Sequence, residues 1–234
     1  MTGAISALLG VVRHAIEAMG TFAAGAKDLA AGNARRGVRR IGLALVRMVQ
    51  TAADVVLMTS GTAVSVLQTL VGIEPPGRKL TAEEISILRQ VFGDSLDCKR
   101  IRVKEGNAGL LTLLNRPFVH GDIIYIPKDW LPMTRGLLVH EAAHVWQHQH
   151  GGTNYMSESL FAQSFGDGYD YAKALREGKQ WSQLNPEQQA EIVETCFECG
   201  FLADPCARFE IGGQDYSDEV RAMIAELRAG RGAP

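Results

Sequence analysis

No proline occurs in the first 74 residues, and then Pro75-Pro76-Gly77 interrupts the chain. Each proline removes a backbone N–H donor and pushes the residue before it out of helical geometry, so no helix runs through this point. A chain of 234 residues broken there divides into an N-terminal helical module, residues 1–76, and a second domain, residues 77–234. Charge follows the same division. Residues 1–79 hold 9 Lys and Arg against 4 Asp and Glu, and residues 80–234 hold 15 against 22, balances of +5 and −7 behind a net charge of −2. That small net charge argues against a dedicated nucleic-acid binder. An apolar fraction of 46% excludes wholesale disorder, and four cysteines exclude a disulfide scaffold.

The N-terminal module is rich in Ala, Gly, Val and Leu, with one dense basic cluster at Arg35, Arg36, Arg39 and Arg40. Ile41, Leu45, Met48, Ala52 and Val55 recur at helical spacing and predict an amphipathic helix, with Arg47 and Asp54 off its apolar stripe. From Val55 to Ile73, 19 residues carry no charge, a length that just crosses a bilayer. Thr59, Ser60, Thr62, Ser65, Gln68 and Thr69 dilute that run. The favoured reading is a helical hairpin packed on itself or on the second domain. Membrane contact through residues 55–73, or docking on a partner protein, is the alternative.

The second domain reads as α+β and mostly helical, with a short β-layer. Thr81-Ala82-Glu83-Glu84 is a capping box that starts a helix with Ile85, Leu88, Val91 and Phe92 on its apolar face. Residues 100–104 alternate charged and apolar side chains, a half-buried strand, and Ile123-Ile124-Tyr125-Ile126 is a second strand closed by Pro127. Residues 109–114 are ambiguous.

The chemistry lies in Leu137–His148, which contains His140-Glu141-Ala142-Ala143-His144. On a helix, residues four apart share a face one turn apart, so His140 and His144 present imidazole nitrogens to one metal ion. Glu141 sits about 100° round from His140. That angle suits a carboxylate that takes a proton from a metal-bound water, and the pattern points to one catalytic Zn2+.

A catalytic zinc needs a third protein ligand. His150 completes a metzincin-like spacing, but Gln147 stands where that pattern has a turn-making glycine. The other source is the helix that begins Asn185-Pro186, with an N-cap and proline at its first position. Glu187, Glu191 and Glu194 recur along one of its faces. One of them could ligate while another steadies a ligand histidine from behind, and periodicity does not choose among them.

Leu80–Glu83, Leu88–Asp97, Gly121–Tyr125, Val139–Gln147 and Leu184–Ala190 followed by Ile192-Val193 stand in this order. Together they resemble small bacterial zinc-metallopeptidase-like domains linked to Rhs and Vgr genes of type VI secretion systems. The likeness runs over roughly residues 80–200. It implies a gluzincin-like plan, a zincin-like fold in which the His-Glu-x-x-His helix is followed by a helix bearing a glutamate ligand. Carried onto this chain, that makes His140, His144 and Glu187 the zinc ligands, Glu141 the general base, and Glu191 the residue behind a ligand histidine. Where an Asp-Tyr pair is usual after this helix, the chain has Thr195-Cys196.

The resulting expectation is a zinc-dependent peptidase acting on a protein or peptide, with the strand Ile123–Ile126 as the cleft rim that pairs with an extended substrate. Tyr169 and Tyr171 are the preferred oxyanion donors, ahead of Tyr155, His120 and Arg116. The resemblance further implies a bacterial effector or toxin that meets a secretion apparatus. No signal peptide is recognisable at the start of the sequence, so the expected routes are a specialised secretion system or retention in the cytoplasm. The competing functions are a non-catalytic zinc-binding adaptor and a membrane-active protein working through residues 1–74. Cys98, Cys196, Cys199 and Cys206 lack a full metal-ligand pattern and read as incidental thiols, with a Cys199–Cys206 disulfide as the alternative.

Overall fold

The computed structural model describes residues 2–70, 75–106, 115–152 and 168–234. Residues 71–73 of the uncharged run, the ambiguous stretch 109–114 and Tyr155 lie outside them.

Two long helices, α1 (Thr2–Ala30) and α2 (Ala34–Leu70), form an antiparallel hairpin around Gly32, whose φ of +80° closes the end of α1. Glycine makes their contact close. A Cβ added at Gly25 would lie 3.0 Å from the Gly37 carbonyl, and one at Gly37 would lie 2.8 Å from the Gly25 carbonyl. Arg40 Nη1 donates to Asp28 Oδ2 at 2.8 Å beside this contact. The buried line of α2 is therefore Gly37 and Ala44, with Ile41 half-buried, whereas Leu45 and Met48 of the expected stripe are exposed. Small residues win because they let the backbones approach, which the longer side chains would prevent. The side chains of Ala52 and Val55 are not among those described.

The far end of α2 docks on the second domain. Ser65 and Gln68 are buried there. Lys104 Nζ donates to Ser65 Oγ at 3.2 Å and to Thr69 Oγ1 at 3.1 Å, and the Tyr125 hydroxyl reaches Ser65 Oγ at 3.0 Å. The hydroxyls and amide that dilute the apolar run are thus the groups that hold this helix to protein. Among the described residues, no helix is long and apolar enough to cross a membrane.

The second domain is α+β and mostly helical. Its sheet comprises β1 (Arg78–Lys79), β2 (Arg102–Glu105), β3 (Phe118–His120) and β4 (Ile123–Ile126), in the order β1-β2-β4-β3. β4 runs parallel to β2, with Arg102 opposite Ile123, and antiparallel to β3, with Phe118 opposite Tyr125. Both edges of β4 are therefore occupied. The expectation that Ile123–Ile126 pairs with an extended substrate does not hold, because its backbone donors and acceptors already serve two neighbours.

Helix α3 (Ala82–Phe92) starts as its sequence predicts: the Thr81 N–H donates to Glu84 Oε2 at 2.7 Å and the Glu84 N–H to Thr81 Oγ1 at 3.2 Å. It buries Leu88, Val91 and Phe92 in the core. α4 (Arg135–Gly151) is buried on nearly every side, and α5 (Tyr171–Arg176), α6 (Pro186–Glu198) and α7 (Ser217–Arg228) follow. α4 and α6 lie against each other, with Val139, Ala142, Ala143, Trp146, Ile192 and Val193 in one shared core. Their contact is closest at Gly136, where a Cβ would strike Glu198 and lie 2.9 Å from Glu194 Oε1.

Candidate metal centre

Thr134 caps α4 by accepting from the Leu137 N–H at 3.1 Å, and the helix then runs unbroken to Gly151. That continuity decides where each histidine goes. His140 and His144 lie one turn apart with ring centroids 5.2 Å apart and planes at 74°. His150, ten residues on, stays on the same helix, hydrogen-bonds through Nδ1 to the Trp146 carbonyl at 2.9 Å and stacks on the Trp146 ring. The turn that would bring it back to His140 is absent, because Gln147 continues the helix.

α6 supplies the third group. Asn185 accepts from the Gln188 N–H at 2.9 Å and Gln188 Oε1 accepts from the Asn185 N–H at 3.2 Å, which fixes the first turn and the direction of Glu187. Glu187 is 1% exposed; its Oε1 lies 3.6 Å from His144 Nε2 and its Oε2 lies 3.7 Å from His140 Nε2. One ligand atom from each of the three falls within 4.8 Å of the others. Tetrahedral zinc with bonds near 2.0–2.1 Å sets its donors about 3.3 Å apart, so the trio fits one ion with small adjustments.

Glu141 lies on the same turn, 4% exposed, and its Oε2 is buried without a hydrogen-bond partner. A buried carboxylate oxygen left unmatched is costly, and at a reactive centre it is a group waiting for a proton or a water. Burial raises the Glu141 pKa above the usual carboxylate range.

The outer contacts differ from the sequence expectation in one respect. His140 Nδ1 hydrogen-bonds Glu194 Oε2 at 2.9 Å, whereas Glu191 Oε2 is 3.9 Å away and more exposed. Glu194, not Glu191, orients His140. The helix explains it: seven residues from Glu187 bring Glu194 back to within about 20° of the same direction, but Glu191 is about 40° off. Glu191, Glu194 and His140 form a second group with metal-binding potential, although it shares His140 with the first.

The two preferred tyrosines part company. Tyr169 stands at the mouth, its ring 6.3 Å from that of His140 and its hydroxyl 3.3 Å from Arg116 Nη2. Burial and the Glu187 carboxylate push its pKa up to about 12, so it remains a proton donor. Asn185 Nδ2 and Gln188 Nε2, each donating at 3.1 Å to the carbonyls of Gly168 and Asp170, hold the segment that carries it. Tyr171 instead packs against Phe209 in the core, and His120 is buried in β3. All four cysteines are free thiols, Cys196 buried and Cys199 and Cys206 exposed.

Burial opposes charge on His140, but the carboxylates of Glu187 and Glu194 outweigh it and push its pKa up to about 10; His144 is raised too, by Glu187 against burial. In the metal-free protein these imidazoles and Glu141 all bind protons more tightly folded than unfolded. Such groups add stability that is complete below the unfolded pKa, 6.5 for histidine, and is lost as pH rises through the folded value, about 10 for His140. Chelator-treated protein is therefore expected to melt about 5 °C lower at pH near 9.5 than at pH near 6.5. An equal or higher melting temperature at the alkaline pH would contradict this proton count.

No family model matches the chain. It is 34% identical over 149 residues to the type VI secretion system spike protein VgrG2b of Pseudomonas aeruginosa, an alignment that covers 58% of this chain. The chain spans only 14% of the length of that relative. The solved effector domain of Pseudomonas aeruginosa VgrG2b overlaps 75% of this chain and 97% of its own length, at 23% identity and a TM-score of 0.45. A Vgr protein is thus among the relatives of a chain whose motifs resemble Vgr-linked domains.

Proposed function

We propose that residues 77–234 are a zinc-dependent peptidase of gluzincin-like plan, a zincin-like fold, delivered as a bacterial effector. The observation that carries the reading is the convergence of His140 Nε2, His144 Nε2 and the Glu187 carboxylate beside the unmatched Oε2 of Glu141. Two neutral imidazoles and one carboxylate form the donor set of catalytic zinc, and a base within the same turn is superfluous for a site that only holds metal.

Bound zinc would supply Lewis acidity and a water of lowered pKa. The chain's own groups do the rest. Glu141, with its affinity for a proton raised by burial, accepts the proton of the attacking water and returns it to the leaving amine. Tyr169 and Arg116, paired at the mouth, donate to the oxygen on which negative charge develops. Glu194 holds the His140 ring in place through Nδ1. Similarity to a spike protein of a secretion system supports an effector carried by, or docked on, such an apparatus.

Purified protein incubated with unfolded casein tests the reading. Cleavage is expected to follow zinc content, to stop with chelator and to return on readdition of zinc. Protein that takes up no zinc, or cleaves equally well with chelator present, would overturn it.

A further inference from the structure

Behind His144 lies a hydrogen-bonded path that the peptidase reading does not use. His144 Nδ1 is 2.8 Å from Gln147 Oε1. Gln147 Nε2 donates to Gln189 Oε1 at 3.1 Å and to the Pro186 carbonyl at 2.9 Å. Gln189 Nε2 donates in turn to the carbonyls of Trp181 and Gly232, each at 2.9 Å. Both glutamines are 1% exposed, so neither amide has bulk water as an alternative partner.

The direction of this path follows from its far end. A backbone carbonyl only accepts, so the two carbonyls facing Gln189 require its NH2 group there; the flipped amide would set oxygen against oxygen twice. Gln189 Oε1 then faces Gln147 and must accept, which places the Gln147 NH2 there, as the Pro186 carbonyl independently demands. Gln147 Oε1 is left facing His144, and the only bond available is donation from Nδ1–H. The carbonyls are themselves fixed: Trp181 Nε1 donates to the Arg231 carbonyl at 3.0 Å, and Gly232, at φ +77°, lies so close to the Trp181 ring that a Cβ would collide with it.

We propose that Gln147 and Gln189 are positioning residues that lock His144 with its proton on Nδ1 and its Nε2 lone pair toward Glu187. Gln147 does this for two elements at once, because the Pro186 carbonyl it binds immediately precedes Glu187. The residues from Trp181 to Gly232 thereby help to determine the tautomer of a side chain on α4. The proposal rests on the zinc reading only in taking Nε2 as the ligand atom.

Two measurements test it. In protein labelled with 15N-histidine, ring spectra are expected to show a slowly exchanging proton on Nδ1 of His144, both metal-free and zinc-loaded. A proton on Nε2 with bare Nδ1 in the metal-free protein, or zinc bound through Nδ1, would overturn the proposal. Zinc competition against a chromogenic chelator is the second, on variants whose circular dichroism remains native. Gln147→Met, which keeps the volume and removes the amide, is expected to weaken zinc binding about 10- to 100-fold, and Gln189→Met at least about 3-fold. Unchanged affinity in both folded variants refutes the positioning role. If the wild type binds no zinc at all, the peptidase reading fails, and the ring-proton spectrum still decides the tautomer.

Discussion

Glu141→Gln is expected to keep its zinc and lose peptidase activity by about 10²- to 10⁴-fold, the usual contribution of a positioned acid–base group. Glutamine has nearly the same shape, so the tightly packed turn between His140 and His144 is preserved while the proton acceptor disappears. The wild-type carboxylate is 4% exposed with one oxygen unmatched, so its burial is a cost accepted for something other than stability. Replacing it also removes a negative charge that faces Glu187 and Glu194, and folding should suffer little. Zinc content by atomic emission, read beside the cleavage rate, separates the roles. Full activity would remove Glu141 from the mechanism, and loss of zinc together with activity would make it a ligand instead of a base.

Glu187→Ala is expected to weaken zinc binding by more than about 100-fold, beyond what loss of an outer contact costs. The carboxylate is 1% exposed and touches both imidazoles, so its removal withdraws one donor and the charge that balances the metal. Three companions calibrate the measurement. Glu194→Ala, which frees the His140 ring, should fall in the range of about 10- to 100-fold, and Glu191→Ala and His150→Ala within about 3-fold of wild type. Zinc retained equally by Glu187→Ala and the wild type would overturn the ligand set, and a larger loss in Glu191→Ala than in Glu194→Ala would reverse the assignment behind His140.

How much of this was legible in the sequence depends on the range of the interaction. The Thr81–Glu84 capping box and the pairing of His140 with His144 span three and four residues, where helical geometry alone determines who meets whom. The strand Ile123–Ile126 was equally plain, but its place inside the sheet was not, because pairing partners 20 residues away leave no local mark. Glu187 was one of three glutamates on one face, and resemblance rather than periodicity singled it out. The choice of Glu194 over Glu191 depends on how two helices slide past each other, a distance controlled by the absent side chain of Gly136. Gln147 was visible only as a residue that is not glycine. Its partners Pro186 and Gln189 sit on another helix, about 40 residues downstream, so nothing near it announced its role.

Helix α2 carries a mechanical consequence. From Ala34 to Ser65 it rises about 46 Å. Near Leu70 it is fastened to the sheet through Ser65 and Thr69, and at the opposite end it lies backbone to backbone against α1. A rod anchored in this way acts as a ruler: whatever grips the hairpin near Gly32 holds the zinc-binding domain at a set stand-off, and cannot reel it in without tearing the Lys104 and Tyr125 bonds from the rod.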